Sequence, residues 1–306
     1  MTYLKTRAVE PDLYGEPSSN PRRWFGIGMI ILGLGVAISA LLGPLMLGVM
    51  EYHASQGAID QLTGGDAAAL FLVAPGSIAA GIFALRGHRA APVIAMGPAV
   101  FAVYTYTQLT LGGDFVRYPG NSEDFFLLNL GLFLTGGLMA ITAWTSIDAN
   151  RLPRTSSRFD RILGSILLAA AVFLLFGLHV PHLVELWGGE LSDAYLADPG
   201  VYWLVKLMDL GIMVPAMIGV GIGLLRHRVW AQRARYGVVG WFALLGSSVA
   251  GMAIVMQINQ DASASLANTI GFGTFALLGL ALAFVLYRPL FTVVTEPVES
   301  VRRPMR

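Results

Sequence analysis

The sequence predicts an all-α integral membrane protein, a bundle of about eight transmembrane helices. Of its 306 residues, 55% are hydrophobic and only 13% are charged, whereas about a quarter of a typical soluble domain is charged. The apolar residues form continuous runs and not the alternating pattern of membrane strands. Basic residues concentrate in every second connection, as they do in multi-pass helical proteins.

Eight apolar stretches come close to the roughly 20 residues that a helix needs to cross the hydrocarbon core. The first follows a polar tail and exceeds the apolar segment of a signal peptide, roughly 7–15 residues, so we interpret it as a membrane span. The predicted spans cover residues 24–50, 68–86, 90–111, 125–147, 162–187, 201–225, 237–258 and 266–288.

The distribution of positive charge predicts the orientation. All but two of the 20 Lys and Arg residues lie in the N-terminal tail, in the 86–91, 148–161 and 226–236 segments or near the C terminus. Because connections rich in Lys and Arg stay in the cytoplasm, both termini are predicted there and the number of spans is even. The other face keeps only Arg117 and Lys206. It carries Glu51, Asp60, Asp66, Asp114, Glu123, Asp124, Glu185, Glu190, Asp193, Asp198 and Asp261.

Two matching segments predict an internal duplication. Residues 75–86 and 215–226 share Pro, Ile, Gly, Ile, Leu and Arg at a constant offset of 140 positions. Four spans separate the copies, so both run in the same direction, which indicates a parallel four-plus-four repeat. The predicted organisation is a cytoplasmic tail (1–23), a first repeat (24–147), a cytoplasmic linker (148–161), a second repeat (162–288) and a cytoplasmic tail (289–306).

Each copy begins with a proline, Pro75 or Pro215, that the helical rise places near the middle of the bilayer. A proline there frees a backbone carbonyl and bends the helix. Paired interruptions in corresponding halves point to a membrane binding site. Prolines in membrane helices also serve packing alone, and this alternative stays open.

Polar side chains inside spans are costly and are therefore candidates for function. Nearly all of them fall in the outer halves of the predicted spans, which predicts a pocket that opens to the exterior without an ionisable path to the cytoplasm. Two histidines of span five, His179 and His182, are three positions apart and share a face of a regular helix. The candidate pocket consists of His179, His182, Glu185, Lys206, Asp209, Tyr104, Tyr106 and Asn129.

These residues also have simpler interpretations. Lys206 and Asp209, at i and i+3, neutralise one another on a helix surface. His179 and His182 with Glu185 are donors that suit zinc or copper, although histidines are also common at membrane interfaces. His53 and His179 could ligate a b-type haem if spans one and five meet.

Composition excludes several classes of function. The chain has no cysteine, which rules out disulfides, iron–sulfur clusters and thiol catalysis, and its net charge of +1 gives nucleic acid no electrostatic support. No phosphate-binding glycine loop, zincin helix or nucleophile elbow is present, so an enzyme is not favoured. The leading hypothesis is binding or transport of a small molecule or lipid. A membrane redox or metal enzyme and a non-catalytic subunit of a membrane complex stay open, as do the cofactor and the oligomeric state.

One region also resembles a known group. It runs over residues 70–140, about a quarter of the chain, and reads as an apolar run to Pro75, then Leu85-Arg86-Gly87, Tyr104-Thr105-Tyr106 and Phe125-Phe126. In these features it resembles a broad group of uncharacterised bacterial multi-pass membrane proteins. The resemblance implies a bacterial cytoplasmic membrane and carries over no activity.

Overall fold

The computed structural model describes residues 19–149, 152, 153 and 155–292. These residues form long helices joined by short connections, together with a short helix at Asp193–Ala197 and 3₁₀ turns at Ser122–Phe125 and Arg288–Leu290, and they contain no strand. The predicted all-α fold is therefore confirmed. The long helices are α1 (Ser19–Leu42), α2 (Gln56–Leu85), α3 (Ala91–Leu111), α4 (Phe126–Ser146), α5 (Ser157–Trp187), α6 (Pro199–Leu225), α7 (Val229–Ile258) and α8 (Leu266–Tyr287).

Seven of these helices in the described part are long and apolar enough to cross a membrane, and α3 is the exception. α3 has 21 residues and no charged side chain, but it carries two prolines, two tyrosines and Gln108, which lower its hydropathy. It lies at the centre of the bundle and contacts α1, α2, α4, α6 and α7. A helix enclosed by protein needs less apolar surface than one that faces lipid.

The connections gather at two ends of the bundle. At one end, which we call the acidic end, the 43–55, 112–125 and 188–198 connections contact one another: His53 binds Glu123, and Arg117 donates to the Leu196 carbonyl at 2.6 Å. The opposite, basic end is where α1 begins and α8 ends, beside the 86–90 turn. Several basic residues used to predict the orientation lie outside the described residues: Lys5, Arg7, Arg151, Arg154, Arg302, Arg303 and Arg306.

Two predicted span boundaries differ from the structure. α1 ends at Leu42, where Gly43 and Pro44 turn the chain, and not at residue 50. α2 begins at Gln56 and not at residue 68, so Asp60 and Asp66 are helical and buried and do not lie in an outer loop. The reason is a contact with a distant helix, because α7 packs along the first half of α2 and encloses its polar residues.

Glycine allows that close approach. A Cβ added to Gly64 of α2 would overlap the backbone of Gly251 on α7, and a Cβ added to Gly251 would lie 2.5 Å from the Gly64 carbonyl oxygen. The two backbones are therefore in direct contact, which is how small residues join membrane helices.

α2 and α6 have the same interruption. A π-helical turn covers Ala69–Val73 in α2 and Asp209–Met213 in α6, and each is followed by its proline, Pro75 or Pro215. In each helix the backbone N–H that follows the π turn donates to a carbonyl five residues back. The wider π turn thus changes the backbone hydrogen bonding of each helix next to its proline, which has no N–H to donate.

The ends of these helices also match. Gly87 and His227 both adopt positive φ, at +70° and +52°, just after the last helical turn. The N–H of the following residue then donates to the Phe83 carbonyl in α2 and to the Gly223 carbonyl in α6. This is the Schellman arrangement that satisfies the free carbonyls of a helix end. The C-terminal ends of α2 and α6 therefore have the same backbone geometry, and they lie 140 positions apart in the sequence.

Substitution of Gly64 by alanine should destabilise the protein, because the added methyl group overlaps the Gly251 backbone. Overpacking of this kind typically costs about 1–3 kcal/mol. Gly271→Ala is the matched control, since nothing lies within 4 Å of a Cβ at that position of α8. Equilibrium unfolding in detergent measures both variants, and equal stability of the two would contradict the proposed contact.

Candidate functional site

One buried carboxylate joins three helices in the half of the bundle near the acidic end. Asp209, at the start of the π turn in α6, accepts a hydrogen bond from the Tyr104 hydroxyl of α3. Its second oxygen accepts one from His179 Nε2 of α5 at 3.0 Å. All three residues are at least nine-tenths buried. The structure therefore brings together three of the residues predicted for the pocket.

Lys206 lies one turn before Asp209, but the two do not form an ion pair within the described structure. The Lys206 ammonium sits over the ring of Tyr202, 3.6 Å from its centroid, in a cation–π contact. Lys206 is 94% buried, so its charge still acts on the nearby carboxylate through a poorly screened medium. Lys206 and Asp209 therefore interact only through their charges at a distance, and their side chains form no direct ion pair.

Two buried nitrogens, one on a residue that binds Asp209 and one on a residue that contacts Tyr104, have no hydrogen-bond partner among the described residues. They are Nδ1 of His179 and the indole Nε1 of Trp241. The Trp241 ring contacts Tyr104 edge to face at a centroid distance of 5.5 Å. Unpaired buried polar atoms are uncommon because each costs about 1–3 kcal/mol. We call Asp209, Tyr104, His179, Lys206 and Trp241 the Asp209 cluster.

The other residues predicted for the pocket lie elsewhere. Tyr106 is two positions from Tyr104 and therefore faces the opposite side of α3, towards Asp66. Asn129 is buried on α4, and its Oδ1 has no partner in the described structure. His182 and Glu185 are exposed near the end of α5. His179 is buried and binds Asp209, so the two histidines have different surroundings although they lie three positions apart.

A cavity of about 360 Å³ lies at the basic end and contains none of the residues predicted for the pocket. Its lining combines apolar residues with the polar side chains of Arg22, His88, Arg89, Thr142, Ser146 and Asp148. The polar residues near the acidic end pack against one another.

His53 has a structural role at the acidic end. Its Nδ1 donates to the Tyr118 carbonyl at 2.7 Å, and its Nε2 donates to the Glu123 carboxylate at 2.6 Å. Because both partners are acceptors, both ring nitrogens must carry a proton. The Tyr118 carbonyl and the Glu123 carboxylate raise the pKa of His53 above its ordinary 6.5, against the opposing effect of burial. Both nitrogens are thus occupied, and neither is available to a haem or metal.

The predicted metal site receives no support from the geometry. Within the described ranges, no group of three or more His, Asp or Glu side chains lies close enough together to hold a metal ion. The candidate ligands His53, His179 and His182 have separate surroundings: His53 binds Glu123, His179 binds Asp209 and His182 is exposed.

The sequence interpretation missed buried acidic residues that it had assigned to loops. Asp60 accepts hydrogen bonds from Gln56 at 3.0 Å and from Asn259 of α7 at 2.8 Å, and Asp160 pairs with Arg235 at 2.8 Å near the basic end. Asp66 is also buried. One local signal was available, because Ser55 is a favourable N-cap for α2 and its hydroxyl accepts from the Ala58 N–H.

No protein family, curated protein or solved structure matches this chain. The site is therefore interpreted from its own geometry.

The Glu123→Gln substitution should lower the pKa of His53, because it removes one of the two groups that raise it. A raised pKa means that the imidazolium contacts are complete below 6.5 and are lost as the pH rises through the raised value. NMR titration of labelled histidine measures the shift. Glu190→Gln, an exposed carboxyl in the same half, should leave the titration unchanged; an unchanged pKa in Glu123→Gln would contradict the assignment.

The Tyr104→Phe substitution should destabilise the bundle by about 1–3 kcal/mol, because it removes one of the two hydrogen bonds to the buried Asp209 carboxylate. Tyr195→Phe removes the hydroxyl of a half-buried tyrosine outside the long helices and serves as the control. Unfolding of both variants in detergent provides the comparison, and matching stabilities would show that the Tyr104 hydroxyl contributes nothing.

Proposed function

We propose that this chain is a multi-pass transport protein of the bacterial cytoplasmic membrane, with eight crossings and two parallel halves of four helices. The helix contacts support the division: α1 packs on α2 as α5 packs on α6, and α3 packs on α4 as α7 packs on α8. The matched π turns, prolines and helix ends support it at residue level. α3 then supplies the eighth crossing, enclosed by its neighbours.

Glycine contacts within the helix pairs support the same division. A Cβ on Gly81 would lie 2.6 Å from the Gly26 carbonyl of α1, and one on Gly221 would lie 3.0 Å from the Gly164 carbonyl of α5. α3 and α7 join the halves, because α3 contacts α6 and α7 contacts α2. An axis along the membrane normal relates halves of this kind. The basic end, where α1 begins and α8 ends, then faces the cytoplasm.

The proposed cargo is a small polar solute that binds at the Asp209 cluster. The observation that carries this proposal is a pair of buried nitrogens without a partner among the described residues: His179 Nδ1, on a residue that binds Asp209, and Trp241 Nε1, on a residue that contacts Tyr104. An indole N–H can only donate, so a bound solute must present an acceptor to Trp241. Such a solute would pair atoms that otherwise cost about 1–3 kcal/mol each.

The position of the cluster also fits transport. Asp209 opens the π turn of α6, and Pro215 follows that turn. Movement at this interruption therefore displaces Asp209 relative to Tyr104 and His179, which lie on other helices. Substrate sites of many transporters lie at interrupted helices near the bilayer centre for this reason.

The Asp209→Asn substitution should abolish solute binding, because it removes the charge of the carboxylate while the side chain keeps nearly the same size. Purified protein is screened for thermal stabilisation by a panel of amino acids, sugars, polyols and quaternary amines, and stabilising compounds are tested for uptake into proteoliposomes. Wild type and the exposed-site control Asp193→Asn should respond to the same compound, while Asp209→Asn should not. Identical responses of all three proteins, or uptake equal to that of empty liposomes, would rule out the proposed site.

The double substitution Pro75→Ala and Pro215→Ala should slow uptake of the same compound, because it restores regular hydrogen bonding at both interruptions. Pro199→Ala is the control, since Pro199 lies in the first turn of α6, where a missing N–H costs nothing. Normal uptake by the double variant would count strongly against movement at the paired interruptions.

A further inference from the structure

We propose a second buried site, independent of the Asp209 cluster, that binds one monovalent cation, either Na⁺ or a proton. It is formed by Asp66 of α2, Ser39 of α1, Tyr52 of the 43–55 connection and Tyr106 of α3. The carboxylate supplies the charge, and the three hydroxyls supply further oxygens. We call these four residues the Asp66 site.

Asp66 is 93% buried, and its Oδ2 has no hydrogen-bond partner in the described structure. This oxygen is directed at the end of α1, where it contacts the position that a Cβ of Gly43 would occupy. The carbonyl oxygen of Ser39 lies 3.6 Å from that same position. The Asp66 carboxylate therefore packs directly against Gly43, and any side chain at that position would overlap it.

The surrounding hydroxyls are buried as well. The Tyr52 hydroxyl has no hydrogen-bond partner among the described residues, the Ser39 hydroxyl interacts with that of Tyr106, and both Ser39 and Tyr52 are more than nine-tenths buried. Tyr106 is equally buried, lies next to Ser39 and interacts electrostatically with Asp66, as does Tyr52. Three hydroxyl groups thus lie in the buried region around the same carboxyl group, and those of Tyr52 and Tyr106 interact with it electrostatically.

The charge of Asp66 is what requires a cation. An ionised carboxylate buried without a counter-charge costs several kcal/mol. No described Lys, Arg or His forms an ion pair with Asp66, and its neighbours from α1, the 43–55 connection and α3 are uncharged hydroxyls. On α7, the uncharged side chains of Ser248 and Met252 lie beside the neighbouring Gly65. The nearest acid on α2, Asp60, is already bonded to Gln56 and Asn259.

The Asp209 cluster differs from the Asp66 site in its charge. Its carboxylate has His179 as a donor and the Lys206 ammonium one turn away, so positive charge is built into the chain. At the constant offset of 140, Lys206 stands where Asp66 stands in the first half. The first half therefore has a carboxylate without a resident cation.

The donor set indicates which cation. All four side chains offer oxygen and none offers nitrogen or sulfur, which suits hard cations. A single carboxylate balances a single positive charge, so a monovalent ion leaves the site neutral. Na⁺ and a proton share this chemistry: Na⁺ would be ligated by the oxygens, while a proton would sit on Asp66 and be donated to a neighbouring hydroxyl.

Melting temperatures in detergent distinguish the two. Wild type is compared in NaCl, KCl and choline chloride at equal ionic strength, together with Asp66→Asn, Asp209→Asn and the exposed control Asp193→Asn. For a sodium site, NaCl should raise the melting temperature of wild type, Asp209→Asn and Asp193→Asn, and Asp66→Asn should lose the shift. Retention of the shift by Asp209→Asn separates this site from the proposed solute site.

For a proton site, the salts act alike, and infrared difference spectra should show a protonated-carboxyl band that disappears in Asp66→Asn. Ser39→Ala and Tyr52→Phe, which remove one hydroxyl each, should weaken the sodium shift or move the band, and they replace Asp66→Asn if that variant does not fold. Absence of both the sodium shift and the carboxyl band in wild type would overturn the proposal, as would their persistence in all three variants.

Discussion

The Asp209 carboxylate constrains the positions of three helices at once. In a medium that screens charge poorly, a buried carboxylate must keep its donors, and the two that it has come from α3 and α5 while it belongs to α6. Because Asp209 begins a π turn that Pro215 follows, the interrupted part of α6 lies beside its buried polar contact. Displacement of α6 at this level requires that these hydrogen bonds be broken or replaced.

The two proposed halves share a backbone design but differ in charge. Their π turns, prolines and left-handed helix ends coincide at one offset, whereas Asp66 and Lys206 occupy corresponding positions with opposite charge. The Tyr104 and Tyr106 side chains extend from opposite sides of α3, one to each buried carboxylate. Duplication of a scaffold followed by a change of charge would give one half a resident cation and leave the other dependent on an ion from solution.

Much of the fold was readable from the sequence because the bilayer imposes length and polarity on each helix. Asp209, Tyr104 and His179 were identified because each interrupts an apolar run. Asp60 and Asp66 were not, because their burial depends on Gly251 of α7, a contact that no local pattern reveals. His182 was predicted beside His179 from spacing alone, and spacing does not reveal that His179 is buried against Asp209 while His182 is exposed. The packing of helix ends, which places the cavity at the basic end, likewise arises only in three dimensions.

The modest hydropathy of α3 has a consequence for how the chain is made. A helix with two prolines, two tyrosines and a glutamine gains little by entering lipid alone. Its surface is covered only once α2 and α4 stand beside it, and later α6 and α7. In the proposed topology of eight crossings, α3 would therefore enter the membrane together with its neighbours. The centre of the protein would then be inserted as a group of helices and not one helix at a time.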